Sequence, residues 1–417
     1  MPDISLRSGQ RAALMIYVLA IWFVISFVTN IIGPLMPLII DGFHLSLALA
    51  GFLPFSFFMA YGIVSIPAGM MVERAGPKRS LLAAFALNAV GATAFALFPS
   101  YAIAVPALFV IGMGMAMLQV VLIPLTRVAG GEAHLAFFSV LSQLVFGLAS
   151  FLSPLVFAQL MNHLAHAEPS DWLRRLSPAL PWVSLYWLFG AIFLCTLLGT
   201  LLMRIPRVTL TAEERTESRS VYVELLKQRH VRLYFIGVAA YVGTEQSLAN
   251  WMSQFLSSYH GASPLTIGAT TVSQFWGLMS LGCLLGLGLL KLFDSRLVLR
   301  AFVVLAIFSV AVALFGGAAW SAAAFAMSGF FLSVMFSIIT SLALNSVARH
   351  HGALSGILCS GILGGAIVPL IVGALGDRIG LRPAMVCVFI TLAFILSISF
   401  WAKPLVANAT LRSARAA

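Results

Sequence analysis

Residues 69–79 read Gly69-Met70-Met71-Val72-Glu73-Arg74-Ala75-Gly76-Pro77-Lys78-Arg79, and they separate two long apolar runs, 47–71 and 80–98. Each run is long enough for a helix to cross the hydrocarbon core of a bilayer, which takes about 20 residues. The residues between them suit a tight turn at the membrane surface. Gly69 lets two helices approach closely. Glu73 offers a carboxylate to a base or to a helix N-terminus, and Gly76 permits a sharp reversal. Lys78 and Arg79 hold the turn on the cytoplasmic side.

The same alternation continues along the whole chain. Twelve apolar runs are expected to span: 12–38, 47–71, 80–98, 102–127, 135–161, 181–203, 232–258, 265–290, 297–317, 320–347, 352–375 and 383–402. Of the 417 residues 61% are hydrophobic and 9% charged, with a mean hydropathy of +1.03. Soluble domains carry about 25% charged residues, so a soluble globule is excluded. The first run is too long for a signal peptide and ends in no small-residue cleavage site. The chain reads as an all-α polytopic membrane protein.

A net charge of +11 would suggest nucleic acid in a soluble protein, but here it follows topology. With the N-terminus inside, 20 of the 24 Lys and Arg residues fall on the cytoplasmic side, leaving Arg174, Arg175, Arg378 and Arg382 opposite. Both termini are therefore expected in the cytoplasm, and the protein in the cell (inner) membrane. No nucleic-acid partner is implied. The cysteines (195, 283, 359 and 387) lie inside apolar runs without ligand spacing and read as small packing residues. His350-His351 is the one adjacent histidine pair, and neighbours on a helix point apart. No metal or cofactor is expected.

The longest polar interruption, 205–231, divides the chain into a bundle over 1–204 and another over 232–417 with a short cytoplasmic tail. Thr211 and Glu214 have capping-box spacing, which predicts a short surface helix there. Six plus six spans suggest parallel repeats with a substrate site between them near the midplane. Ser142…Pro154 and Ser355…Pro369 echo one another in support. Prolines inside spans (Pro34, Pro54, Pro67, Pro106, Pro124, Pro154 and Pro369) loosen helices beside cavities.

The 69–79 turn resembles the G-x-x-x-D-R-x-G-x-R-R signature of the major facilitator superfamily, with Glu73 in place of Asp. The resemblance implies a conformational gate at Gly69, Glu73, Arg74, Gly76, Lys78 and Arg79. The matching turn of the second half, Gly286…Lys291…Asp294-Ser295-Arg296, is degenerate. Four further stretches are similar to the fucose–galactose–glucose/proton symporter family. They are Gly51…Phe57-Phe58…Tyr61-Gly62…Ile66-Pro67-Ala68-Gly69, Tyr241-Val242-Gly243-Thr244-Glu245…Trp251, Phe275-Trp276-Gly277…Met279…Gly282 and Gly364-Gly365-Ala366-Ile367-Val368-Pro369…Gly373…Asp377…Gly380. The likeness implies a major facilitator fold and a monosaccharide substrate.

The departures matter as much. A proton-coupled member of that family keeps an Asp in its first span and a Glu in its fourth. Aligned on the following proline, those positions are Asn30 and Gln119 here. Amides hydrogen-bond sugar hydroxyls as donor and acceptor but do not titrate. Cys283 replaces a family Arg, Phe146 a family Asn, and Gln143 keeps a family polar position. Ser153-Pro154 lacks the glycine-rich run of the drug antiporters.

Glu245 is the carboxylate lying deep in an apolar run, at a price of about 2.5–3.5 kcal/mol on insertion scales. No Lys or Arg lies in the middle of a predicted span to neutralise it. Three roles stay open: proton carrier, ligand for a coupling cation, or hydrogen-bonding group. A sugar cavity needs paired donors and acceptors with aromatic faces. The candidates are Asn30, Gln119, Gln143, Glu245, Gln246, Asn250, Gln274 and Asn345, with Trp251 and Trp276 as platforms. The same amides also serve as interhelical glue, worth about 0.6 kcal/mol each. Glu245 and Asn250 fall roughly 140° apart on a regular helix, so facing one cavity requires a bend between them.

The expectation is a transporter of a neutral monosaccharide, a hexose or deoxyhexose, working by alternating access without covalent chemistry and so not an enzyme. Loss of both acids favours uncoupled or weakly coupled uptake over proton or sodium symport. Another organic solute or drug as substrate, and a sugar receptor without flux, are the alternatives. The expected partners are the sugar, a coupling proton or sodium ion if transport is coupled, and the lipid bilayer, around a monomer.

Overall fold

The computed structural model describes residues 8–130, 135–166, 171–203, 205, 219–347 and 349–405. Among them there is no strand, and twelve helical spans run up and down in chain order. Eleven helical stretches are long and apolar enough to cross a membrane. The remaining one, span 7 (Arg229–His260, 32 residues), is longer than most, but Thr244, Glu245, Gln246, Asn250 and Gln254 dilute its apolar content. Its middle is nevertheless almost wholly buried, because it lies between the two halves of the molecule.

Local chemistry sets the ends and breaks. Span 1 is interrupted after Ser8–Thr29 and resumes as Ile32–Phe43. Pro34 has no N–H to return to the carbonyl of Asn30, one turn back, and the helix opens at Asn30-Ile31. The Ser46 hydroxyl accepts the Leu49 N–H at 3.3 Å and starts span 2, Leu47–Ala75. Gly76, at φ +83°, then turns the chain directly into span 3, Pro77–Leu97, with Pro77 in the first turn. Only glycine adopts that backbone readily. Spans 4 and 5 are Tyr101–Gly130 and Leu135–His166, and Ser184–Leu202 forms most of span 6.

In the second half, span 8 opens with one π-helical turn, Pro264–Gly268, before Ala269–Leu292. Asp294 caps span 9 (Ser295–Phe315) through the Arg296 N–H at 2.8 Å. Span 10 breaks between Ala318–Leu332 and Met335–Leu344. Span 11 runs from His351–Ser360 through a 3-10 turn, Gly361–Leu363, into Gly364–Ile379. Span 12 comprises Leu381–Met385 and Val388–Trp401. The capping-box pair Thr211 and Glu214 lies outside the described residues; a helix at Arg219–Lys227 occupies the later part of that linker.

Three helix pairs join the halves, and glycine makes each contact close. The carbonyl of Ala249 in span 7 lies against Gly33 of span 1, where a Cβ would meet it at 2.2 Å. Span 2 runs along span 11, with Gly51 on Leu370 and Gly62 on Leu363. Span 5 runs along span 8, where the Ser273 hydroxyl donates to the carbonyl of Phe151 at 2.6 Å and Gly147 faces Ser280. Between these pairs the halves diverge toward the face at which the chain begins, hereafter the start face.

Candidate functional site

The divergence encloses a cavity of about 490 Å³ walled by spans 1, 2, 4, 5, 7, 8, 10 and 11. Gly286, Leu287 and Leu290, in the last turns of span 8, extend its wall to the start face. Of the expected residues, Asn30, Gln119, Gln143, Glu245, Gln246 and Trp276 all line it. Gln119 and Gln143 have no hydrogen-bond partner in the protein among the described residues. The buried indole N–H of Trp276 also has none. These are polar groups on the cavity wall that no described protein group engages, and they are free to bind a ligand.

Glu245 is held on the wall by its own helix. The Tyr241 hydroxyl, one turn earlier, donates to Oε2 at 2.5 Å, and the Gln246 side-chain amide donates to Oε1 at 3.0 Å. Among the described residues no basic group pairs with it, so its partners are two neutral donors. Cys283 of span 8 and Ser333, at the break of span 10, stand on the same wall, and the thiol donates to the Ser333 carbonyl at 3.3 Å. Asn30 sits at the break in span 1, where its amide donates to the Ser150 hydroxyl of span 5 at 2.8 Å. The Ser26 hydroxyl bonds the Phe146 carbonyl at 2.5 Å and lies 2.6 Å from Ser150 Oγ. One face of Asn30 is therefore structural, tying spans 1 and 5 together, while the residue still borders the cavity.

Four expected residues lie elsewhere. Span 7 is continuous through Glu245, so the bend that would bring Asn250 to the same wall is absent, and Asn250 packs against span 1 at Gly33. Trp251 is fully buried with its indole N–H on the Pro369 carbonyl at 3.0 Å; it glues span 7 to span 11. Gln274 is exposed, pointing roughly 200° around the helix from Trp276. Asn345 caps the end of span 10, and its carbonyl accepts the Leu405 N–H at 2.7 Å. The sequence reading did not single out Trp22, Tyr61, Tyr241, Ser333 or Phe336 for the wall. The four-residue spacing of Tyr241 and Glu245 was the available signal, since such pairs meet on a helix.

The two faces of the molecule differ. At the start face Glu73, Arg74 and Arg79 are exposed and Gly69 is half-buried. Lys78 donates to the carbonyls of Leu201 and Met203 at 2.9 and 2.8 Å, capping the end of span 6. At the opposite, far face the seam is closed. Gly373 of span 11 meets the Leu47 carbonyl, where a Cβ would lie 2.5 Å away. Asp377 accepts the N–H groups of Leu47 and Ala48 at 2.7 and 2.9 Å. That contact clamps the first turn of span 2 to the end of span 11. Gly373-Ala374-Leu375-Gly376-Asp377-Arg378-Ile379-Gly380-Leu381-Arg382 repeats the pattern of residues 69–78 at the other end of the molecule. The two turn glycines even share a backbone, φ +83° and ψ 164° at Gly76 against φ +87° and ψ 153° at Gly380. The far copy is engaged; Glu73 of the near copy makes no ion pair among the described residues.

Comparison with known proteins agrees with this architecture. A family model described as Major Facilitator Superfamily matches residues 18–362. The chain is 32% identical over 382 residues, 90% of each sequence, to the glucose/galactose transporter of Brucella abortus (biovar 1, strain 9-941). It is 23% identical over 384 residues, 87% of each, to the L-fucose-proton symporter of Escherichia coli (strain K12). The fucose transporter FucP, solved in an outward conformation, superposes with a TM-score of 0.65 at 20% identity, over 94% of this chain and 99% of that one. A bacterial homologue of the lysosomal transporter Spinster, solved inward-facing, gives 0.74 at 16% identity, over 94% and 97%. Twelve spans in two six-helix bundles are the fold of these transporters. With the family model over most of its length and a relative 32% identical along nine-tenths of both sequences, the chain belongs to the major facilitator superfamily.

Proposed function

We propose that the protein carries a neutral monosaccharide across the membrane by alternating access, and that any proton moved with the sugar is carried by Glu245. The observation that carries the reading is the cavity wall. Two unpartnered amides, Gln119 and Gln143, come from one half of the chain, and Glu245, Gln246 and Trp276 come from the other. A polyhydroxylated solute satisfies such a set of donors and acceptors, and an indole face suits its C–H surface. The names of the glucose/galactose and fucose relatives support the same substrate class.

The location of the positive charge supports a cytoplasmic start face and an inner-membrane setting, so the cavity described here is the inward-open one. The better superposition on an inward-facing relative supports that assignment. The linker 205–231 joins an N-terminal bundle ending at 204 to a C-terminal bundle starting at 232. Each chain encloses its own site, which favours a monomer as the working unit.

Sugar counterflow in proteoliposomes, with and without a pH gradient, tests the proposal in wild type and Glu245→Gln. Wild type is expected to exchange labelled hexose. A pH gradient is expected to drive accumulation in wild type and not in Glu245→Gln, while exchange survives in both. Full gradient-driven accumulation by Glu245→Gln rules out Glu245 as proton carrier. Absence of hexose exchange in wild type overturns the sugar reading.

A further inference from the structure

Beyond the cavity, span 7 continues toward the far face and keeps a polar edge. Gln246, Asn250, Ser253, Gln254 and Ser257 fall within an arc of roughly 100°. The arc begins at the cavity wall, where Gln246 stands, and rises into the closed seam. There it meets Ile32–Phe43 of span 1, which from Ile32 to Ile40 presents no polar side chain. Gly33 lies against Ala249 and Asn250, and Gly268, in the π turn of span 8, lies against the Ser253 hydroxyl.

Gln246, Asn250 and Ser253 are buried and Gln254 and Ser257 half-buried, yet several of their polar atoms lack partners among the described residues. Asn250 is 3% exposed and Ser253 0%. Asn250 Nδ2, Ser253 Oγ and Gln254 Oε1 are buried without a hydrogen bond, among the described residues. Of the arc's amides, Gln246 donates to Glu245 at 3.0 Å and Gln254 to Ser258 at 3.1 Å. A buried polar atom left unpaired is destabilising, and an apolar replacement of similar shape removes the penalty. Three such atoms within two turns of one helix, packed between the apolar stretch of span 1 and the π turn of span 8, are poor material for a permanent seal. They suit a surface that spends part of the transport cycle wet.

We infer that this arc is a second sugar-binding wall, formed when the far seam opens, with Asn250 as donor, Gln254 as acceptor and Ser253 as either. The ligand class is a neutral, hydroxyl-rich monosaccharide, and the inference rests on the alternating-access reading above. The present conformation is then the one in which this wall is dry and the start-face cavity carries the site. The amide of Gln246 stands where the two walls meet.

Sided kinetics in proteoliposomes of known orientation test it, using labelled glucose, galactose or fucose, whichever wild type exchanges. Asn250→Leu keeps the size and removes the donor. It is expected to raise KM at least tenfold for sugar presented at the far face. KM for sugar presented at the start face stays within twofold, and the melting temperature does not fall. A KM change of equal size on both faces, a change confined to the start face, or no change overturns the inference while leaving transport itself established. If Asn250→Leu does not reconstitute, Gln254→Leu is read by the same criterion. Failure of wild type to exchange any of the sugars refutes the transport reading instead.

Discussion

Removing the Asp377 carboxylate should tilt the protein toward its far-open state. In the structure this side chain accepts two N–H groups at the start of span 2, at 2.7 and 2.9 Å, from the end of span 11. Donors and acceptor belong to opposite halves, so the bonds exist only while the far seam is closed. When the seam opens, water replaces them. Loss of a helix N-cap costs about 0.5–2 kcal/mol, and a negative charge at a helix N-terminus is worth about 0.3–1 kcal/mol. Asp377 is exposed, which places the combined effect nearer the lower ends. One to two kcal/mol changes the ratio of far-closed to far-open protein by about 5–30-fold. Apparent affinity at the far face is the intrinsic affinity multiplied by the fraction of protein able to bind there. With the far-open state as the minor one, Asp377→Ala should lower the far-face KM for sugar by about the same 5–30-fold. Asp377→Asn keeps one acceptor and loses the charge, so its effect should be about 2–5-fold. The assay is initial-rate uptake from the far face, normalised to folded protein by size-exclusion profile and melting curve. A far-face KM that is unchanged or raised in Asp377→Ala refutes the clamp.

Two further expectations follow from the same seam and cavity. Gly33→Ala puts a methyl group 2.2 Å from the Ala249 carbonyl; overpacking of about 1–3 kcal/mol should hold the seam open and slow counterflow about 5–150-fold while far-face sugar binding persists, and unimpaired counterflow contradicts it. Cys283 lines the start-face cavity, so with Cys195, Cys359 and Cys387 changed to serine an impermeant maleimide should label it from the start face and sugar should slow the labelling; labelling only from the far face, or indifferent to every transported sugar, contradicts the placement.

The fold was legible because membrane spans are specified by length and apolar content, both local properties. Even so, the span that builds the site was the least apolar of the twelve, since it carries Glu245, Gln246 and Asn250 on one helix. In the structure single residues set helix ends: Ser46, Gly76 and Asp294 each act within one turn. The break at Asn30 followed from Pro34. What the chain order concealed was rotation and register between distant helices. Nothing near Trp251 in sequence announces that Pro369, 118 residues on, supplies its acceptor. Nothing near Asn30 announces Ser150. Asn250 and Gln274 are amides of the right type on spans of the right kind; depth along span 7 separates Asn250 from Gln246, and helix azimuth turns Gln274 away from Trp276.

That azimuth also bears on how Glu245 works. A carboxylate at this depth is ordinarily expected beside a cation or a second acid, and it has neither among the described residues. Its two neutral donors, Tyr241 and Gln246, come from its own helix, so their presence does not depend on which face of the protein is open. A group whose immediate partners travel with it changes protonation only if its exposure changes, through access of water or arrival of sugar. Both happen on the cavity wall and neither happens in the closed seam above. On the proposed reading, alternation of the wall between wet and dry couples proton uptake to sugar movement through Glu245, without the first-span and fourth-span acids that the family resemblance aligns with Asn30 and Gln119. If Glu245→Gln and wild type accumulate sugar equally in a pH gradient, that coupling route is closed and the residue's remaining work is to bind sugar.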